Sequence, residues 1–574
     1  MAGTVSAVGT FVLALSFFGC TPEDPPLACA SGDSWSSLAQ PLLRTWCTPC
    51  HAIGVVGDAR NGAPVDVNFD TYADVVLWSD RIVARATGAS PTMPAISGPS
   101  DEERARLAEW VSCDLPGAST TTPGLCEWPL TVTVFDPDSL SGQHVISDVV
   151  LNQSAQNLCS VEGDLQLPAG GDPDLALPGL TAVGGNLVAD ADPERLTLSA
   201  GSLESVGGNL LVSAQDNLES MAFGELASIG GNLVVTDVAA VTLDFSDLET
   251  VGGSLEFQHL SGVEDLRLTT SVASVGADLI VTDLPQLKDF DGFGRIVSVG
   301  GNVELAEYPI AESIYGFQAL LDVAGSFSVS SMTSATSVGV APDLVTVGGD
   351  LTLVDLPAVT EFAFLTFVEE IGGVLLLQRM PQLTSFPAPA ALVSAGGIHI
   401  DDNLTLIGIP KFQALTVLSG DLRLTQLPAL PSVGRFDSLT TLSGRIEISD
   451  TPNQTSLPGL KSLTTTGGLS LLRTGLESLD DLKGLSLIDG DLILDDVDRI
   501  SDLDGLDAVL IVHGNLQVVG CDQLNTLSNL HGIVEVTGDV LVQDNPALDQ
   551  SEALDFVNGI TSVGGDRTAV GNGG

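Results

Sequence analysis

The residues whose spacing points most directly to chemistry are Cys47-Thr48-Pro49-Cys50-His51, a C-x-x-C-H run. Two thiols three positions apart can form thioethers with the two vinyl groups of one haem, and the imidazole that follows then reaches the iron. The spacing predicts one covalently attached haem c, with Cys47 and Cys50 as attachment points and His51 as an axial ligand. A zinc site would want a second Cys/His pair at ligand spacing, and Cys113 and Cys126 sit near no His. A redox dithiol of the thioredoxin kind would want a βαβ context, which the flanking sequence lacks. Met93, followed by Pro94, lies 42 residues beyond His51 and is the only Met in this region.

The elements that must position these groups are short and helical. Residues 36–46 carry helical apolar spacing, so a helix leads into the motif. Asp101–Cys113 opens with acids after Ser100, a good N-cap, and places Leu107, Trp110 and Val111 on one face. Helix, C-x-x-C-H, loop, Met-Pro and closing helix is the order of a small monohaem c-type cytochrome, and residues 28–117 resemble that family. The resemblance implies a small all-α fold with His51 proximal and Met93 distal on the iron. It implies a pocket walled by residues 69–72 and by a helix over 73–86, and one-electron transfer with a redox partner protein. It also implies a Cys29–Cys113 disulfide between the terminal helices. A Cys126–Cys159 disulfide would then clamp the domain junction, leaving Cys521 as a buried thiol.

The amino terminus is a different element. The apolar run from Val5 to Phe18 is long enough for a signal-peptide core and too short to span a bilayer. It ends in Gly19-Cys20, a small residue followed by Cys, which resembles a bacterial lipoprotein signal and implies Cys20 as the lipidated residue. The expectation is an exported, lipid-anchored protein of the cell envelope, touching the membrane only through that anchor. Residues 1–20 are then the signal and residues 21–27 a short, stiff tether.

Composition separates two bodies. The chain of 574 residues has 20 basic and 74 acidic side chains, a net charge of −54. That balance leaves no basic stripe for nucleic acid. Charged residues make up only 16% and hydrophobic residues 44%, too apolar for an acidic disordered chain. All five Trp precede residue 130, and all four Lys follow residue 287. Residues 127–574 carry 14 basic against 61 acidic side chains, so nearly all the charge lies in the second body. Residues 118–144 read as the linker.

From about residue 145 to 570 one phrase recurs, Val-Gly-Gly-Asn-Leu-x-Val and its variants. The first Gly, or its replacement, falls at 184, 207, 230, 252, 276, 300, 324, 348, 372, 396, 419, 443, 467, 489, 513, 537 and 564. The step is 22–24 residues until the last, which is 27. So short a step filled with strand-type residues predicts an all-β solenoid of about eighteen coils, a rod of roughly 85 Å at strand spacing. The Gly pair is expected to supply a positive φ at a tight corner, and the Asn or Asp after it to form a ladder along the stack. Asp recurs seven residues after the first Gly, at 237, 283, 355, 450, 496 and 544, and is expected to close a second turn by a side-chain-to-backbone bond. The calcium nonapeptide pattern needs a shorter repeat, and the leucine-rich line L-x-x-L-x-L-x-x-N is not kept.

The phrase, with Cys159 ahead of Gly163-Asp164-Leu165-Gln166-Leu167, resembles the receptor L domain, a right-handed β-helix of receptor ectodomains and microbial surface proteins. No catalytic constellation emerges: His259, His399, His513 and His531 are isolated, and Asp480-Asp481 and Asp495-Asp496 read as solvated acids. Two functions therefore compete, neither of them enzymatic. One is an electron carrier whose solenoid binds a partner or acts as a spacer. The other is a surface recognition or scaffold protein whose solenoid binds protein or glycan.

Overall fold

A computed structural model describes residues 38–47, 69, 75, 79–83, 85, 99–112, 143–145, 148–151, 153–156, 158–266, 271–290, 292–432 and 434–573. The chain divides into two compact units, residues 1–123 and 124–574.

In the first unit the described helices are α1 (Gln40–Trp46), α2 (Ser79–Ile82) and α3 (Asp101–Ser112). Helix α1 starts with a proline in its first turn, where a missing N–H is harmless, and ends as the Cys47 N–H donates to the Leu43 carbonyl at 2.8 Å. Helix α3 starts at a reciprocal capping box. The Ser100 N–H and hydroxyl both donate to the Glu103 carboxylate, at 2.7 and 2.8 Å, and the Glu103 N–H donates back to Ser100 Oγ at 3.2 Å. Those bonds from Ser100 hold the Glu103 carboxyl below its usual range. Leu42, Leu43, Val75, Ile82, Leu107 and Trp110 are among the buried side chains of one small apolar cluster.

This arrangement corrects the first expectation. The protein is mostly β-solenoid with few helices, and no small all-α cytochrome c-like domain is seen among the described residues. The haem c expectation, with its iron and electron-transfer role, is corrected with it. Among the described residues no group of three or more His, Cys, Asp or Glu is placed to hold a metal ion, and no haem-binding group is found. Five motif residues specify a spacing. The surrounding pocket has to be built by the rest of the chain, and the described helices do not assemble it.

The second unit is a long parallel β-solenoid. A typical coil contributes a two-residue strand such as Ser228–Ile229, a glycine-bearing corner, and a longer strand such as Leu233–Val238, while in Glu370–Gln378 and Ser394–Asp401 one strand runs through the corner. A second corner and a third segment such as Thr242–Asp244 complete the turn. All strand pairings are parallel, because every coil runs the same way around. The inward column is held along the array, although the pairing of Glu370–Gln378 with Ser394–Asp401 shifts register between Ile371 and Val374. Leu187, Leu210, Leu233, Leu255 and Leu279 stand directly over one another, and the column continues through Phe327, Leu375, Ile446 and Leu516 to Val540. Alternation along each strand sends these residues inward, and a one-residue slip would turn the whole column to water. One continuous apolar core results, from Val149 to Ile560.

Two features of the core break the leucine pattern. Phe290, Phe293, Tyr308 and Phe317 stack with centroid separations of 5.4 to 5.8 Å, filling the width of successive coils. Arg195 is fully buried, and burial pulls its pKa down while Asp192 and Asp190 push back. Its guanidinium lies 3.4 Å from Asp192, is 3.4 Å from Gln215 Oε1, and donates to the Pro168 carbonyl at 3.1 Å. The 27-residue step is longer because a helix is inserted in it. Helix α4 (Gln550–Gly559) starts where the Asp549 carboxylate accepts the Ser551 N–H at 2.7 Å, and it buries Ala553, Phe556 and Val557.

Candidate recognition surface

The predicted site residues fall largely outside the described residues: Cys20, Cys29, Cys50, His51, Met93, Cys113 and Cys126. Of the others, Cys47 is half-buried at the end of α1, against the small apolar cluster. Cys159 is disulfide-bonded. Cys521 is buried in the solenoid core, where burial pushes its thiol up to about 12. No two of the predicted haem residues are brought together within the described structure.

The paired glycines have a different role from the one expected. The positive-φ glycines among the described residues are Gly170, Gly459, Gly505, Gly520 and Gly571, and none belongs to a Val-Gly-Gly corner. The corners need glycine because the coils stack there with bare backbone in contact. A Cβ on Gly207, Gly230, Gly252 or Gly276 would stand within 3 Å of the carbonyl oxygen one coil below. A Cβ on the second glycine would meet the Asn or Asp oxygen of that lower coil, as at Gly208 and Gly231.

The expected polar ladder is present and uses that close approach. Asp164 Oδ1 accepts the backbone and side-chain N–H of Asn186 at 2.6 and 3.0 Å. Asn186 Oδ1 accepts the same pair from Asn209 at 2.8 and 2.9 Å. Asn209 passes the pattern to Asn232, and Asn232 to Ser254. Further runs link Asp278, Asn302, Ser326, Asp350 and Val374, and later Asp491, Asn515, Asp539 and Asp566.

Positive φ lies at the second corner, in a column of mostly non-glycine residues. From Ala214 through Asp237, His259, Asp283 and Glu307 to Asp544 the column holds φ between 50° and 67°. The recurring Asp sits in this column. Asp tolerates the left-handed region better than most residues, which accounts for its recurrence. Three of its basic side chains lie beside acids of neighbouring coils. His259 is 3.4 Å from Asp237 and 4.0 Å from Asp283. Arg379 makes a two-pronged pair with Asp355, and its Nη2 donates to Oδ2 at 2.7 Å. Arg473 pairs with Asp450 at 2.7 and 2.9 Å. The hydrogen bonds from Arg379 and Arg473 hold the Asp355 and Asp450 carboxyls below their usual range.

The face of two-residue strands carries an open groove of about 570 Å³. Its floor is the corner backbone of Gly300, Ala324, Gly348 and Gly372. The outward residues Ser298, Asp322, Thr346 and Glu370 line it in register, one per coil. Thr346 Oγ1 donates to Asp322 Oδ1 at 2.5 Å. Immediately before this column runs an apolar one, Val297, Leu321 and Val345, tied by Leu321 N–H to Val297 O at 2.9 Å and Val345 N–H to Leu321 O at 2.8 Å. Val297 and Leu321 are 45% and 39% exposed, and Phe367, three residues before Glu370, is 56% exposed. Sequence reasoning missed this groove. Its signal is visible only when coils are aligned and the outward residue before each Val-Gly-Gly is read down the stack.

No family model matches the chain, and no curated protein matches it. A solved structure described as the crystal structure of a TLR13–ssRNA13 complex matches at 12% identity over 73% of this chain and 74% of that one, with a TM-score of 0.17. A superposition that poor carries no argument about this chain.

Proposed function

We propose that this is an exported recognition or scaffold protein of the cell envelope, in which the solenoid presents a long acidic surface to protein partners. The observation that carries the reading is the continuous inward column of the stack, from Leu187 to Val540. Side chains one coil apart repeat in fixed columns at strand spacing, so the surface can hold a partner at many points without enclosing it. The fold is consistent with a non-enzymatic role. The charge of the solenoid favours cationic partners and speeds their encounter, an effect that weakens as salt rises. Export and a lipid anchor at Cys20 rest on the amino-terminal apolar run.

The test is a scan of photo-crosslinking residues across the full chain in its native envelope, with adducts mapped by mass spectrometry. Adducts should fall on one solenoid face at positions 22–24 residues apart. Adducts confined to residues 1–123 would overturn the reading.

A further inference from the structure

We infer that the groove between Ser298 and Glu370 holds a cationic peptide segment in the polyproline II conformation, lying along the stack across the strands. The inference deepens the recognition reading above and rests on it. Two observations carry it: the spacing of the acids and the apolar column.

The outward column reads Ser298, Asp322, Thr346, Glu370 and then Ser394, so its two acids stand two coils apart. Coils are separated by one strand spacing, about 4.8 Å, which puts Asp322 and Glu370 about 9.6 Å apart along the stack. A polyproline II helix advances about 3.1 Å per residue with three residues per turn, so every third side chain faces the same way about 9.3 Å further on. Two basic residues three positions apart therefore meet Asp322 and Glu370. An extended strand repeats its faces about every 6.7 Å and falls out of step. An α-helix reaches about 10.8 Å after two turns.

The remaining surface suits the same ligand. Polyproline II has no internal hydrogen bonds, and an outward carbonyl can accept from the Ser298 hydroxyl. Its proline rings need an apolar strip, and Val297, Leu321 and Val345 supply one beside the acids.

The experiment uses the full chain and a synthetic peptide with Lys at every third position and Pro between. Two control peptides carry Glu in place of Lys, or the same residues with Lys at every second position. Affinity is measured for the wild type, for D322N/E370Q, and for D522N/D555N, which removes the same charge from two exposed sites elsewhere. The every-third-Lys peptide should bind most tightly, and D322N/E370Q should weaken it by about threefold to thirtyfold, two exposed ion pairs' worth. D522N/D555N should leave it within about twofold. Leu321→Ser, which leaves the charge intact, should weaken it as well. Equal weakening by the two charge variants would overturn the groove and leave only diffuse attraction. Preference for the every-second-Lys peptide, or for a cationic sugar oligomer, would overturn the polyproline assignment. Absence of peptide binding alongside crosslinks on the solenoid would sink this inference and spare the recognition reading. Crosslinks absent from the solenoid would sink both.

Discussion

Replacing Asn209 with Ala tests the physical basis of the stack at one rung. Asn209 Nδ2 donates to Asn186 Oδ1 at 2.9 Å, and Asn209 Oδ1 accepts the Asn232 backbone N–H at 2.7 Å. The Ala variant loses the first bond and strands the second donor in a half-buried corner. Leaving a buried donor unpaired costs about 1–3 kcal/mol. At about 1.4 kcal/mol per factor of ten, exchange of the Asn232 amide by local opening should quicken roughly 5- to 150-fold. Asn209→Asp keeps the acceptor for Asn232 and should change that amide by only a few-fold. Asp539 occupies the same position above Asn515, so the corner accepts a carboxylate there. Native-state hydrogen exchange resolved to that coil is the assay, because a solenoid opens locally and a single unfolding midpoint averages over coils. Equal acceleration by Ala and Asp, or none by Ala, would refute the claim that the ladder oxygen holds the next coil.

Other outcomes follow from the same geometry. Gly252→Val drives a side chain into the Gly230 carbonyl and should destabilise the stack by about 1–3 kcal/mol, read as a lowered melting temperature. Ala324→Gly, at a corner that already carries a Cβ, should change it little. Asp355 and Asp450 have depressed folded-state pKa values, so the stability they contribute is present above the ordinary carboxylate range and is lost as pH falls through their lower folded values. Arg379→Gln and Arg473→Gln should return both titrations towards about pH 3.9 by NMR. Cys521, buried and pushed up to about 12, should ignore a thiol reagent at pH 8 until the chain is unfolded.

The solenoid was legible because its step, its inward Leu-x-Val pairs and its ladder residues are all local signals repeated many times. Helix α3 was legible too, since Ser100 and Glu103 form a capping box visible in sequence. The reason for the glycine pairs was not. Glycine serves both a positive φ and a close approach, and only the coil below Gly230 or Gly252 tells the two apart. The left-handed column was hidden for the opposite reason. Ala214, His259, Glu307, Arg379 and Gln426 share that conformation with the recurring Asp, so composition does not mark it. The C-x-x-C-H spacing suggested a haem site, whereas the described helices and the absence of a metal-holding cluster among the described residues do not support one. The groove depends on residues 24 apart, Asp322 with Thr346 and Leu321 with Val345, a relation that no short window contains.

The ladder, the groove spacing and the recognition reading all depend on each coil lying one strand spacing above the last. The direct measurement places spin labels at Ser331→Cys and Gln426→Cys, two residues of the left-handed column four coils apart. Pulsed electron resonance should give one narrow distance centred near 19 Å, four strand spacings, once the label arms are allowed for. A broad distribution, or a distance far from that value, would contradict the stacked register from which the rest is argued.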